Sequence, residues 1–421
     1  VNILIFEAYS DANIGACALV ENAIALLRRR YPAAAIRVMA REPGVFRNLY
    51  GVDAVPDVFE YPFLQPRWRQ VIWLVRALLW MASCWIAAGL HDRDRLRTTR
   101  VPFRSKIEDF LWADLAVSVG AERINDKFFK NIVFSLYTYA LLRRIGARCV
   151  IFPATIGPFL FGWSRRLARR VLSGVDLIYT RDEASLEITR GLLGPGTGTV
   201  HGTSDIALMQ EQIGRDEALT IIGAAGEESI VGISAMRWSY FRNRIETPYS
   251  NFEAYVREMA LLADTLIDEY GVRIVMYPTN YPVHGCREDD LGVSLEIRSR
   301  MSRGKDVTVI EELPTPARLK GMLACSQINV TTRMHACILS TGAGAPTISV
   351  NYLFKVREHM RSLGLEEFSI DIEEFNSQWA LETFRRMWPE RERWRAHLER
   401  AVEEKQRGIL DAMKYLDGVA R

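Results

Sequence analysis

QINVTTRMHACILSTGAGAPTISVNYLFK, residues 327–355, decides the fold. It opens on an apolar run, QINVTT (327–332), and passes at Arg333 into a helical pattern that lasts to 342. Glycines and Pro346 then break the helix, and PTISVNY (346–352) is a second apolar run. Continuous apolar strands joined by one helix are the unit of a parallel sheet covered on both faces.

The same alternation extends outward. Upstream, SIVGISAM (229–236), VRIVMYP (272–278) and VTVIEE (307–312) read as strands, with helical segments 250–269, 286–302 and 315–324 between them. The first half repeats the design. Its strands are 2–9, 35–41, 114–120, 148–157 and 176–182, and its clearest helices are 16–30, 128–145, 163–173 and 182–193. The expected fold class is therefore α/β: two Rossmann-like, doubly wound parallel-sheet lobes facing a cleft, with a C-terminal helix. The expected boundaries are an N-terminal lobe over 1–210, a linker over 211–228, a C-terminal lobe over 229–375 and a helical segment over 376–421. In the last, Trp394, Leu398, Ala401, Ile409, Met413 and Leu416 share one stripe. The opening VNILIFEAY reads as a core strand and not as a signal peptide, since no basic stretch precedes its apolar part.

Composition narrows the function. The 421 residues carry 54 basic against 51 acidic side chains, a balance that argues against a nucleic-acid coat. The six cysteines form no C-x-x-C pair, which speaks for reduced thiols and against zinc ribbons or dithiol chemistry.

Open α/β sheets bind ligands beyond the carboxyl ends of their strands. Four cationic or protonatable side chains are predicted there in the second lobe: Arg237 after VGISAM, Arg333 and His335 after NVTT, and Lys355 after TISVNYLF. Thr331 or Thr332 is expected to cap the following helix, whose N-terminus would add N–H groups and a positive dipole end. Such a set suits a small, highly charged anion. For any one of these residues a surface ion pair is the plainer reading; four at matching rims favour the site.

The first lobe is less explicit. Asp11, Asn13 and Gly15 form a polar turn into a helix, either facing a hydroxylated ligand or simply capping. The turn is not G-x-G-x-x-G, so dinucleotide binding has no support. Gly120 follows a strand and is positioned to let a ligand approach the backbone, and Gly157 closes the strand of FPATIGPF in a similar way. Arg181 either points into the cleft or pairs with Asp182, itself expected to cap a helix. His201 and Asp205 lack companions for a metal site, so ordinary loop hydrogen bonds are expected and no metal is assigned. His284 lies in a loop beside Asp289 and Asp290 that either faces the cleft or is merely solvated.

VIWLVRALLWMASCWIAAGL (71–90) is the most apolar stretch, with one charge, Arg76, and arginines on both flanks. Three readings stay open: a core helix, an in-plane or hairpin contact with a membrane surface, and a span.

Taken in order, NIGACAL (13–19), ATIGPF (154–159), TRDEASLEI (180–188), SDIAL (204–208), VGISAMR (231–237), the 331–352 block and Lys355 resemble the polysaccharide pyruvyl transferase family, over about residues 2–370. The resemblance implies a GT-B-like fold and transfer of the enolpyruvyl group of phosphoenolpyruvate onto two hydroxyls of a glycan sugar, giving a ketal. It implies His335 and Arg333 as catalytic, with Arg237, Arg333, Lys355 and Arg181 binding the donor. Asp11, Asn13 and Gly15 would bind a glycan or lipid-linked oligosaccharide acceptor. No cofactor is implied beyond phosphoenolpyruvate as co-substrate, and no nucleic acid. The location implied is cytoplasmic, with 71–90 as a contact to the inner membrane face. The chain departs from the family pattern at Ala16, where many members carry aspartate, and at VGAERIND, where many carry a glycine pair. A nucleotide-sugar glycosyltransferase on the same fold, with Glu311 and Glu312 near the nucleoside, is the nearest alternative. A non-catalytic member of a membrane glycan-assembly complex is the second.

Overall fold

A computed structural model describes residues 1–59, 65–89, 104–126, 129–194, 198–226, 228–237, 251–283 and 288–419. The chain forms two compact units. The first comprises Val1–Ser10, Leu19–Asp205 and the segment from Gly408 onward; the second comprises Asp11–Ala18 and Ile206–Arg407.

In the first unit the strands are β1 (Asn2–Ala8), β2 (Ala35–Ala40), β3 (Asp53–Pro56), β4 (Leu115–Ser118), β5 (Ala121–Ile124), β6 (Arg148–Ile156), β7 (Leu177–Thr180) and β8 (Val200–Gly202). They pair in parallel in the order β3-β2-β1-β4-β6-β7-β8, with β5 on β6. Strand order reverses between β1 and β4, so their carboxyl ends flank the crevice where such sheets bind ligands. The strands are short and apolar because helices cover both faces: β4, LAVS, is buried at every residue.

The second unit holds β9 (Ile230–Ser234), β10 (Arg273–Met276), β11 (Val307–Val309), β12 (Ile328–Thr331), β13 (Thr347–Asn351) and β14 (Ser369–Asp371). Its parallel order is β11-β10-β9-β12-β13-β14, and the reversal falls between β9 and β12. The 327–355 block supplies β12, which flanks that reversal, the helix Met334–Gly342 and β13 beside it.

Several expectations need correction. The 211–228 stretch is not a bare linker: Arg215–Ile222 is a helix whose Ala218, Leu219 and Ile222 enter the second core. Eight residues between Gly214 and Gly223 are too few to show a period. The boundary between units falls instead at Asp205–Ile206. The C-terminal segment divides into helices Ser377–Met387 and Arg391–Ala412, then a final turn, and its end belongs to the first unit. Four strands, β3, β5, β8 and β14, were not foreseen; each has three or four residues, too few for a pattern. The fold itself requires Gly120: it has a φ of +90°, and a Cβ there would sit 2.4 Å from the Pro153 carbonyl of β6.

Candidate functional site

The second unit concentrates polar chemistry at its strand-order reversal. β10, β9, β12 and β13 lie side by side, and each ends in residues of the cluster. Arg237 follows β9, Arg333 follows β12 and Lys355 stands in the first turn of the helix after β13. Thr279 and Asn280 follow β10.

Asp290 is the hub; the sequence placed it only in a loop that either faces the cleft or is solvated. It opens the helix Asp290–Arg300 and is fully buried. Arg333 grips it bidentately, Nε to Oδ2 at 2.9 Å and a terminal nitrogen to Oδ1 at 2.8 Å. Thr279 Oγ1 and the backbone N–H and Nδ2 of Asn280 also donate to Oδ2, and the Arg237 N–H donates to Oδ1. The remaining Arg333 nitrogen pairs with Glu288 Oε2 at 2.7 Å. Burial opposes the Arg333 charge, but Asp290 and then Glu288 more than restore it, raising its basicity further. Arg333 is thus held by protein carboxylates, where the sequence suggested it would grip an anion. It is also the N-cap of the helix Met334–Gly342 and makes no side-chain cap bond, so neither threonine caps. Thr332 instead shares a hydrogen bond with the buried Tyr255 hydroxyl (2.8 Å), which accepts from the Met236 N–H. Tyr255 so ties the end of β12 to the end of β9. No sequence signal marks it, since its partners are far away in the chain.

His335 sits in the first turn of Met334–Gly342, half-buried. Its neighbour comes from the other end of the sequence. Ala12, Asn13 and Ile14 lie against Thr279–Tyr281 in a short antiparallel contact: Ile14 N donates to Thr279 O at 3.0 Å and Tyr281 N to Ala12 O at 2.9 Å. This brings Gly15 so close to the imidazole that an added Cβ would lie 2.2 Å from Cγ and Nδ1 of His335. Asn13 Oδ1 accepts from the Ala16 N–H, the bond of a helix N-cap. Asp11, Asn13 and Gly15, expected in the first lobe, therefore belong to the second unit and line the histidine's side of the site.

The other assigned residues divide. Lys355 is buried, with its Nζ 6.0 Å from the centre of the Tyr352 ring. The Arg237 side chain lies over Phe252 and reaches Glu296 at 3.7 Å. Arg181 is in the first unit, where its buried guanidinium bonds Asp205 and Thr155, both at 2.8 Å. It pairs with Asp205, not Asp182, which caps Glu183–Leu193 through the Ser185 N–H. His201 stacks on Tyr415 at 3.6 Å. His284 lies outside the described residues, and Glu311, of the nucleoside alternative, pairs with Arg298 at the surface. Among the described residues no group of three or more His, Cys, Asp or Glu is placed to hold a metal.

The first unit has its own feature at the reversal between β1 and β4. Glu7 has a φ of +64°, a left-handed backbone at a non-glycine residue, where the β1–β2 register shifts. Its buried carboxylate accepts from Ser118 Oγ (2.6 Å), Tyr139 OH (2.8 Å) and Ser135 Oγ. Burial, and then the Glu7 charge, hold the Tyr139 hydroxyl well above the usual phenol range, so it stays a donor. Glu7 borders a small recess of about 40 Å³, lined also by Asp57, Arg123, Thr138, Phe59 and Phe134. A glutamate inside an apolar strand, in ILIFEAY, was the available signal.

The sequence profile of the polysaccharide pyruvyl transferase family matches residues 13–353. The chain belongs to the polysaccharide pyruvyl transferase family. Its GT-B-like architecture is shared with solved structures of low sequence identity. UDP-GlcNAc 2-epimerase from Neisseria meningitidis superposes with a TM-score of 0.59 at 14% identity, covering 99% of both chains. Anabaena HepE in complex with UDP-glucose gives 0.57 at 13% identity, covering 100% of this chain and 98% of that one. At such identities the likeness concerns fold alone. The amylovoran biosynthesis protein AmsJ of Erwinia amylovora is 22% identical over 241 residues. The chain spans about half the length of this curated relative, 52%, and half of itself is matched, also 52%. The family match contains Asn13, Gly15, Arg237, Asp290, Arg333 and His335, ends two residues before Lys355 and begins after Glu7.

Proposed function

We propose that the protein transfers the enolpyruvyl group of phosphoenolpyruvate to two hydroxyls of a glycan sugar, forming a pyruvate ketal during exopolysaccharide or glycolipid assembly. The observation that carries this reading is His335 set at a helix N-terminus, on the rim where Arg237, Arg333 and Lys355 follow adjacent parallel strands, within a chain of this family. The proposed site takes the donor's phosphate and carboxylate through Lys355, the Arg237 side chain and the first N–H groups of Met334–Gly342. Arg333, already engaged by Asp290, fixes the shape of the rim, and an incoming anion would displace Glu288 from its other arm.

Protonated His335 delivers its proton to the methylene carbon of phosphoenolpyruvate, leaving an oxocarbenium-like centre at the neighbouring carbon. One sugar hydroxyl attacks that centre. The bond to the phosphate oxygen then breaks, and a second hydroxyl closes the ketal. The two hydroxyl protons restore His335 and leave with the phosphate. Developing negative charge on the departing phosphate is met by the cationic rim. A bound donor anion favours the charged imidazole, so donor binding prepares the acid.

In this reading the acceptor's hydroxyls approach past Asp11, Asn13 and Gly15, which lie on the histidine's side of the second unit's rim. The reaction needs no further cofactor, and the protein works in the cytoplasm at the inner membrane face on lipid-linked glycan. Phosphoenolpyruvate should raise the melting temperature of the protein, and UDP-sugars should not. The reverse result would favour the nucleotide-sugar alternative.

A further inference from the structure

The helix Arg67–Ala88 has two apolar faces, and the fold uses one. At 100° per residue, Trp73, Trp80, Cys84 and Ala87 form a stripe. This stripe packs inward: Trp80 and Cys84 belong to the first unit's core, and Trp73 and Trp80 meet Phe134, Phe59 and Tyr137 edge-on. The opposite arc, with Val71, Ile72, Val75, Leu78, Leu79 and Ile86, is exposed, Leu79 at 61% and Ile86 at 70%. Neither a buried core helix nor a free span describes this element. By length and composition it could cross a membrane, yet one stripe is built into the core.

Charge says what covers the open arc. The 22 residues of the helix carry Arg67, Arg69 and Arg76 and no acid. The helix Phe129–Arg144 packs against it and, on another side, against Gly162–Leu172. That third helix, GWSRRLARRVL, has four arginines and no acid, and exposed Leu160, Phe161 and Trp163 stand at its start. A two-fold contact with a second copy would bring these arginines together with no carboxylate on either helix to pair them. An anionic lipid surface accepts both the apolar arc and the arginines.

We propose that Arg67–Ala88 lies in the plane of an anionic bilayer surface, its exposed arc at the headgroup–acyl boundary. Trp68, Trp85 and the arginines sit at headgroup level. The inference stands independently of the reaction.

The test uses the full chain and vesicles of phosphatidylcholine alone or with a quarter phosphatidylglycerol, read by flotation. Binding to the anionic vesicles should exceed binding to neutral ones by about tenfold or more, and should fall as salt rises. The double variant Leu78→Glu, Leu79→Glu should abolish binding with its thermal melt unchanged, since both residues are exposed. Absence of binding to anionic vesicles, equal binding to neutral ones, or binding unaffected by the double variant would overturn the proposal. So would a dimer, seen by light scattering without lipid, that the double variant dissociates.

Discussion

The two sheets reverse strand order alike and furnish the reversal differently. In the second unit, buried charge meets opposite charge: Arg333 is locked to Asp290, with Glu288 on its free arm. In the first, buried Glu7 meets hydroxyls of Ser118, Ser135 and Tyr139. A neutralised ion pair fixes geometry and leaves the field to neighbours, whereas a carboxylate among hydroxyls keeps its negative field. The difference bears on the proposed ligand: a multiply charged anion suits the second rim, with its further cations Arg237 and Lys355, and not the first.

The largest expected effect tests what the second rim does. His335→Gln keeps the ring's approximate size and removes the acid, and turnover should fall by about 10²–10⁴-fold with the melting temperature unchanged. Gly15→Ala pushes a methyl into the imidazole. It should cost about 100-fold in kcat, because a displacement near 1 Å is enough for such a loss, and wild-type turnover would show that the contact is not functional.

Stability then separates the two rims. Asp290→Asn leaves a buried guanidinium with one remaining acid and should destabilise by about 3–5 kcal/mol in urea unfolding. Glu288→Gln, at the half-exposed arm, should cost under about 1 kcal/mol. Glu7→Gln keeps shape and loses charge. With hydroxyl partners among the described residues it should cost about 2 kcal/mol. If Glu7→Gln destabilises as much as Asp290→Asn, the contrast between the rims fails.

Lys320 is the cationic counterpart of Glu7. It is buried and donates to the Gln210 carbonyl at 2.6 Å, and burial lowers its pKa to about 8. Its folded pKa lies below the unfolded value of 10.5, so between those values the unfolded chain binds more protons and stability rises with pH. The wild type should gain roughly 1–3 kcal/mol across that window relative to Lys320→Met. Parallel pH profiles would show that the amine is not perturbed.

What the sequence revealed follows from range. The long strands and helices, and the placement of Arg237, Arg333, His335 and Lys355 at strand ends, were legible because apolar periodicity is local. The pairing of Asp290 with Arg333, the role of Tyr255 and the docking of Ala12–Ile14 on Thr279–Tyr281 were not, because each depends on partners tens to hundreds of residues away. The same limit misplaced Asp11, Asn13 and Gly15: their turn was readable, but not the unit it joins. Arg333 illustrates a further limit. Its position was right, yet its charge is already taken by carboxylates from the REDD segment, whose reach into the rim no local pattern announces.

The central claim is that His335 is the acid of a pyruvyl transfer. It is tested most directly by incubating wild type and His335→Gln with phosphoenolpyruvate and lipid-linked glycans, following phosphate release and the mass of the glycan together. The account predicts phosphate release matched by pyruvylated glycan for the wild type, and loss of both by at least about 100-fold in a folded His335→Gln. Undiminished turnover in that variant would contradict it.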